Sequence, residues 1–408
     1  MIARVIKREL SFQEFVVICS LLMSLTALST DTMLPALPQM GSDLGLQDVN
    51  NRQLVVSMLF LGLALGQMFF GPLSDWSGRK PAIYAGFALY IAGAVICGLA
   101  VSFPMLLGGR LLQGIGASSP RALTLALVRD RYEGRTMARV MSFVMTVFIM
   151  VPMVAPTLGQ GILLFAGWRA IFAGFVTIAL IGMIWFAARM PETLAPANRA
   201  PFSLRRIYSA TLEILHNRIA LGYTISAGLV GGAFLGYLNS AQQIYQEQYA
   251  LGDSFPLVFA LVAFSIGLAS FMNSRLVMRY GMRLLVNRAL GVIVLLALVG
   301  ISVALFTGGH PPFWFLIAYL ITSFFGVGIL FGNQNALAME PLGRLAGIGA
   351  AIVGSLSTLL QVPLGTVIGQ SYNDTVLPLM VGIALLAGLS ILVVNWAEAG
   401  GSQPAEAI

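Results

Sequence analysis

The fold class this sequence predicts is an all-α polytopic membrane protein, with twelve spanning helices in two bundles of six. Three observations predict it. The chain has 408 residues, of which 58% are hydrophobic and only 10% charged, whereas a soluble domain carries about 25% charged residues. So few charges cannot cover a water-facing surface, and lipid must be the main solvent. The basic residues fall in short hydrophilic breaks between apolar runs, which is a topology pattern. They form no stripe of the kind that binds nucleic acid, despite the net charge of +7. The breaks leave runs long enough to cross a bilayer as helices, about 20 residues each.

In order, the expected spans are 13–36, 52–74, 81–101, 104–128, 138–163, 168–190, 219–246, 255–279, 284–306, 312–338, 345–370 and 375–397. The start, MIARVIKREL, is basic and lacks a small-residue cleavage site after a short apolar core, so it reads as leading into an uncleaved span. With this end in the cytoplasm, nineteen of the 23 Lys and Arg fall in cytoplasmic segments. They include Arg4, Lys7 and Arg8, Arg79 and Lys80, and the groups at 129–139 and 275–288. Only Arg52 and Arg169 face the other side, while Arg110 and Arg121 fall within a span. Both termini are therefore expected in the cytoplasm.

The longest break, 191–218, separates an N-terminal bundle (1–190) from a C-terminal bundle (219–408). Its start, PETLAPANRAP, reads as linker; SLRRIYSATLEILHN reads as an amphipathic interfacial helix. The halves echo each other. At an offset of 203 residues, Leu73, Gly78 and Lys80 match Leu276, Gly281 and Arg283. Six-plus-six repetition suits a transporter that rocks two bundles about a central site. The two cysteines, Cys19 and Cys97, lie in apolar runs without metal or redox spacing.

GPLSDWSGRK (71–80) resembles the loop signature G-x-L-x-D-R-x-G-R-K of the major facilitator superfamily, through Gly71, Leu73, Asp75, Gly78, Arg79 and Lys80; Trp76 departs from it. LLGGRLLQGIGA carries the fourth-span pattern R-x-x-Q-G-x-G as Arg110, Gln113, Gly114 and Gly116. VPMVAPTLGQG resembles the fifth-span antiporter motif, and TDTMLPALPQM the first-span motif of twelve-span drug:proton antiporters. With Trp168-Arg169 and Pro191-Glu192-Thr193, the chain resembles the Bcr/CflA group of multidrug efflux transporters over about its whole length.

The resemblance implies a major facilitator fold and proton-coupled efflux of small, drug-like amphipathic compounds across the bacterial inner membrane, by a monomer without cofactor or metal. Asp31 and Arg110 are the expected proton-coupling pair. They lie at similar depth in the same bundle, where a carboxylate and a guanidinium can share one water-filled cavity. Burial and a neighbouring guanidinium act in opposite senses on a carboxyl's hold on its proton. Gly71, Asp75, Gly78, Arg79 and Lys80 form a conformational latch, with Asp75 capping a neighbouring helix and Asp130 and Glu133 as candidate partners. Pro152, Pro156, Gly159 and Gly161 break the fifth helix and serve as a fulcrum. Gln113, Arg121, Tyr237, Asn239, Gln242, Asn333 and Gln361 are polar groups in apolar runs and are the candidate substrate contacts.

The competing function is a major facilitator importer or exporter of a specific metabolite such as a sugar or organic acid. An enzyme is not expected: the two histidines, His216 and His310, lie in breaks, and no nucleophilic, metal or phosphate-binding set converges. A ligand-binding sensor would bind without moving its ligand, and flux separates the two.

Overall fold

The computed structural model describes residues 10–399, so Arg4, Lys7 and Arg8 lie outside the described residues. Among the described residues, twelve helices reach 20 residues or more. They are α1 (Phe12–Asp31), α2 (Leu54–Ser77), α3 (Arg79–Gly98), α4 (Phe103–Arg131), α5 (Gly134–Phe165), α6 (Arg169–Arg189), α7 (Arg218–Gln242), α8 (Phe255–Tyr280), α9 (Met282–Phe306), α10 (Phe313–Met339), α11 (Ala346–Gln370) and α12 (Leu377–Glu398).

Eleven of the helices are long and apolar enough to cross a membrane. The exception is α4, which is 29 residues long but carries Arg110, Gln113, Ser118, Ser119 and Arg121. Its neighbours α1, α2 and α3 pack around it. Gln113, Ser118 and Ser119 are fully enclosed there, so α4 keeps its polar groups away from lipid.

The two halves use one packing scheme. In the first, α4 lies against α2 and α3, α1 against α5, and α3 against α6. In the second, α10 lies against α8 and α9, α7 against α11, and α9 against α12. Between the halves, α2 meets α11 and α5 meets α8. Gly78 and Gly281 occupy equivalent turns, between α2 and α3 and between α8 and α9, with φ of 103° and 74°. Glycine takes such angles without a Cβ penalty, so the matched positions reflect one backbone requirement used twice.

Two expectations about helix ends change. The first span stops at Asp31 and is followed by a 3-10 turn, Leu34–Ala36, and a short helix, Leu37–Asp43. Pro35 and Pro38 sit at the starts of these pieces, where a missing N–H costs nothing. By contrast, α5 is one continuous helix through Pro152 and Pro156. The prolines remove backbone donors without breaking the helix as expected, because the surrounding turns and neighbouring helices hold it.

Between the halves, Leu204–His216 is helical and buries Ile207, Ala210 and Ile214, while Ser203 accepts the Arg206 N–H at 3.3 Å. These apolar positions share one face, which packs on α11 and α7.

Candidate functional site

Asp31 ends α1 and is 5% exposed. Among the described residues its carboxylate has no hydrogen-bond donor and no cation within 4 Å. It shares a stripe of α1 with Ser20 and Ser24, which are buried with unpartnered hydroxyls, because residues 4, 7 and 11 apart recur on one helix face.

Arg110 does not face Asp31. It is fully buried and spends its donors elsewhere: Nε on the Val55 carbonyl at 3.0 Å, Nη2 on the Ser29 carbonyl at 3.0 Å and Nη1 on Gln113 Oε1 at 2.7 Å. Among the described residues Arg110 makes no ion pair with Asp31. A planar guanidinium satisfied by three oxygens instead ties α1, α2 and α4 together. Gln113 orients that fork, and its own Nε2 is buried without a partner.

Close approach at Asp31's end of the bundle depends on Gly159. A Cβ there would run into the Thr32 carbonyl oxygen. Gly161 has open space at the same test, so the two glycines of the fifth-span motif differ in role.

The 71–80 segment builds a charged cluster on the face where α1 begins and α12 ends. Arg79 is 3% exposed and donates from Nε to Asp130 Oδ2 at 2.8 Å and from Nη1 to Asp75 Oδ1 at 2.6 Å. Asp75 is thus an ion-pair partner and not the expected cap. The cap is Glu192, whose carboxylate accepts the backbone N–H of Arg79 at 2.9 Å and of Lys80 at 3.0 Å, where the positive end of α3 favours an anion. Lys80 Nζ reaches the Ala187 and Met190 carbonyls at the end of α6. Asp130 is a partner as expected; Glu133 makes no such contact among the described residues. A Cβ at Gly71 would make only an ordinary van der Waals contact, with Ala351 across the seam. In the second half Arg283 sits between Glu340 at 2.8 Å and Glu398 at 2.9 Å. Each half thus fastens an arginine after its positive-φ glycine to an acid at the end of its own fourth helix, Asp130 or Glu340; the first half adds Asp75 of its second helix and the second half Glu398 of its sixth.

On the opposite face polar side chains join the halves. Asn50 Nδ2 donates to the Gln370 and Tyr372 carbonyls at 3.0 and 2.8 Å, and Gln243 Nε2 donates to Asn50 Oδ1 at 2.7 Å. Arg52 Nη2 pairs with Glu247 Oε1 at 2.8 Å. Asn239, an expected substrate contact, belongs to this seam and donates to Ser57 Oγ at 3.1 Å. Gln242 belongs there as well, donating to Glu247 at 3.2 Å. Beside the seam, burial pushes the Tyr249 phenol up to about 12, so its hydroxyl stays a donor, to the Pro311 carbonyl at 2.6 Å.

The remaining expected contacts are scattered. Tyr237 is buried among Phe259, Phe324 and Tyr245. Asn333 exchanges hydrogen bonds with Asn273 of α8, and Gln361 lies against Gly231 of α7. Arg121 is half-buried and has no hydrogen bond or ion pair among the described residues. Sequence reasoning missed the seam of Asn50, Arg52, Gln243 and Glu247. Its signal was a polar run, NNRQ, against the start of a span, and QQIYQEQ at the end of another.

Two repeated helical bundles with polar groups turned to the seam between them define a polytopic transporter. The family model described as Major Facilitator Superfamily matches residues 19–365, and the chain belongs to that family. It is a multi-pass membrane transporter of small molecules. It is 30% identical to the uncharacterized MFS-type transporter YdgK of Bacillus subtilis (strain 168), over 85% of this chain and 86% of that one. It is 27% identical to a bicyclomycin resistance protein homolog of Haemophilus influenzae (93% and 94% covered) and to the multidrug resistance protein MdtL of Escherichia fergusonii (93% and 95%). These relatives are consistent with the Bcr/CflA-like drug-efflux group. Among solved structures, the human organic anion transporter MFSD10 aligns with a TM-score of 0.71 at 18% identity, over 95% of this chain and 99% of that one. That likeness is one of fold alone.

Proposed function

We propose that the protein is a proton-coupled exporter of small, drug-like amphipathic compounds across the bacterial inner membrane, working as a monomer by alternating access. The observation that carries this reading is Asp31, a buried carboxylate with no cation or donor beside it. At bilayer depth a charged side chain costs at least ~2.5–3.5 kcal/mol, and intramembrane acids mark proton and substrate paths. The names of the bicyclomycin and multidrug resistance relatives support drug efflux.

In this reading the face where α1 begins and α12 ends is cytoplasmic. The polar seam of Asn50, Arg52, Gln243 and Glu247 then closes the outer side, and the conformation is inward-facing. Asp31 releases its proton inward as substrate enters. It takes one from outside once the seam has opened and substrate has left. The Arg79 cluster acts as the latch on the cytoplasmic side, and the Gly159 contact between α5 and the end of α1 acts as the fulcrum.

The test is drug-induced proton movement in inverted vesicles, comparing wild type with Asp31→Asn over cationic, neutral and anionic compounds. Expected is proton release on drug addition by wild type alone, with drug binding retained in the variant. Normal proton movement by the variant overturns the assignment of Asp31. If wild type responds to no compound, drug efflux falls, and a metabolite substrate takes its place.

A further inference from the structure

Arg121 stands on the same stripe of α4 as Arg110. Eleven residues are three helical turns to within about 20°, and span ~16 Å along the axis. Arg110 reaches carbonyls of both α1 and α2, so this stripe looks into the crevice between those helices. The neighbouring positions confirm the direction: Ser118 abuts Gly66 of α2, and Ser119 Oγ donates to the Ala82 carbonyl of α3 at 2.9 Å. Arg121 is turned away from α3.

Its depth follows from a fixed register. The Phe15 ring lies against Tyr132 at 5.2 Å and under Arg131 at 5.4 Å. Nine residues up α1, ~13.5 Å, is Ser24; ten residues back along α4, ~15 Å, is Arg121. Counted instead from the Arg110–Ser29 contact, eleven residues bring Arg121 opposite Ile18, so the unpartnered Ser20 and Ser24 hydroxyls bracket the level of the guanidinium. Asp31 lies seven residues beyond Ser24, ~10 Å farther along the axis, too far for an ion pair.

Among the described residues no other acid supplies the missing anion. In the second half Glu247, Asp253, Glu340, Asp374 and Glu398 all lie at helix ends or in turns. In the first half Glu14 is paired with Arg189, and Asp75 and Asp130 with Arg79. A half-buried guanidinium in a membrane helix needs an anion or water, and the described chain offers it no anion.

We propose that Arg121, with the hydroxyls of Ser20 and Ser24, is the subsite that receives an acidic group of the transported compound. The substrate class is then small amphipathic compounds bearing a carboxylate or a similar anion, with their apolar part extending toward Asp31. This rests on the transporter reading above but not on proton coupling.

The experiment is equilibrium binding to the purified full chain in nanodiscs, read as thermal stabilisation. The probes are a matched pair, 2-naphthoate and its uncharged carboxamide. Wild type is expected to prefer the carboxylate about tenfold in apparent affinity. Arg121→Gln removes the preference while carboxamide binding stays unchanged, and Arg121→Lys keeps part of it, which guards against a Gln variant that fails to fold. A wild type without carboxylate preference, or a preference that survives in Arg121→Gln, overturns the proposal. Binding needs no proton flux, so a failure here leaves the Asp31 coupling test standing, and the reverse holds as well.

Discussion

Arg52 Nη2 lies 2.8 Å from Glu247 Oε1, the one ion pair among the described residues that joins the two bundles. It sits beside the Asn50 hydrogen bonds to Gln370, Tyr372 and Gln243. If this seam sets the balance between closed and open states, Glu247→Gln should shift that balance. For a partly exposed pair the cost is about 1 kcal/mol, or about fivefold in the open-to-closed ratio. Labelling a cysteine placed at Ser57 with an impermeant thiol reagent measures it. An unchanged labelling rate would show that hydrogen bonds alone hold the seam.

Gly159 and Gly161 make a controlled comparison. A methyl at 159 runs into the Thr32 carbonyl, while one at 161 meets nothing within 4 Å. Gly159→Ala should destabilise by about 1–3 kcal/mol and impair transport; Gly161→Ala should leave both near wild type. Thermal unfolding in detergent reads the difference, and equal effects would remove Gly159 from the α1–α5 contact.

Arg110→Lys tests whether the buried guanidinium is a structural tie. An ammonium cannot reproduce the fork to the Val55 and Ser29 carbonyls and Gln113. Leaving such oxygens unpaired costs about 1–3 kcal/mol each. The expected result is a protein of lowered melting temperature in which Asp31-dependent proton release, per folded molecule, persists. A stable Lys variant that loses coupling would give Arg110 a direct part in proton transfer.

Gly78 and Gly281 share a backbone conformation but not an environment. A Cβ at 281 meets nothing within 4 Å, whereas one at 78 meets Glu192 Oε2 at 2.6 Å. Both alanine variants carry strain of about 1–3 kcal/mol. Gly78→Ala should in addition dislodge Glu192 from the start of α3 and expose the 193–203 linker to protease. Limited proteolysis showing equal cutting of both variants would sink the idea that Glu192 fastens the linker.

Much of the architecture was legible because the physics involved is local. A helix that spans lipid needs an apolar run of fixed length, so the spans could be read within a few residues, and Gly78 and Gly281 betrayed the repeated turn. Asp31 was conspicuous because an acid in such a run is expensive. Errors came where neighbours override a local rule. Pro152 and Pro156 should break α5, yet packed surroundings carry it through. Asp75 looked like a cap, but a residue 113 positions after Arg79 does that work.

By itself, then, the sequence determined the solvent, the number of crossings, the repeat and the family, since each depends on composition and short-range spacing. Only the tertiary structure decided partners. It turned Arg110 away from Asp31 toward backbone oxygens, put Asn239 and Gln242 into the seam, joined Arg52 to Glu247, and left Arg121 facing a crevice without a counter-charge. A charged group inside a membrane is tolerated according to what lies within a few ångströms of it, and that is a property of packed helices, not of neighbours along the chain.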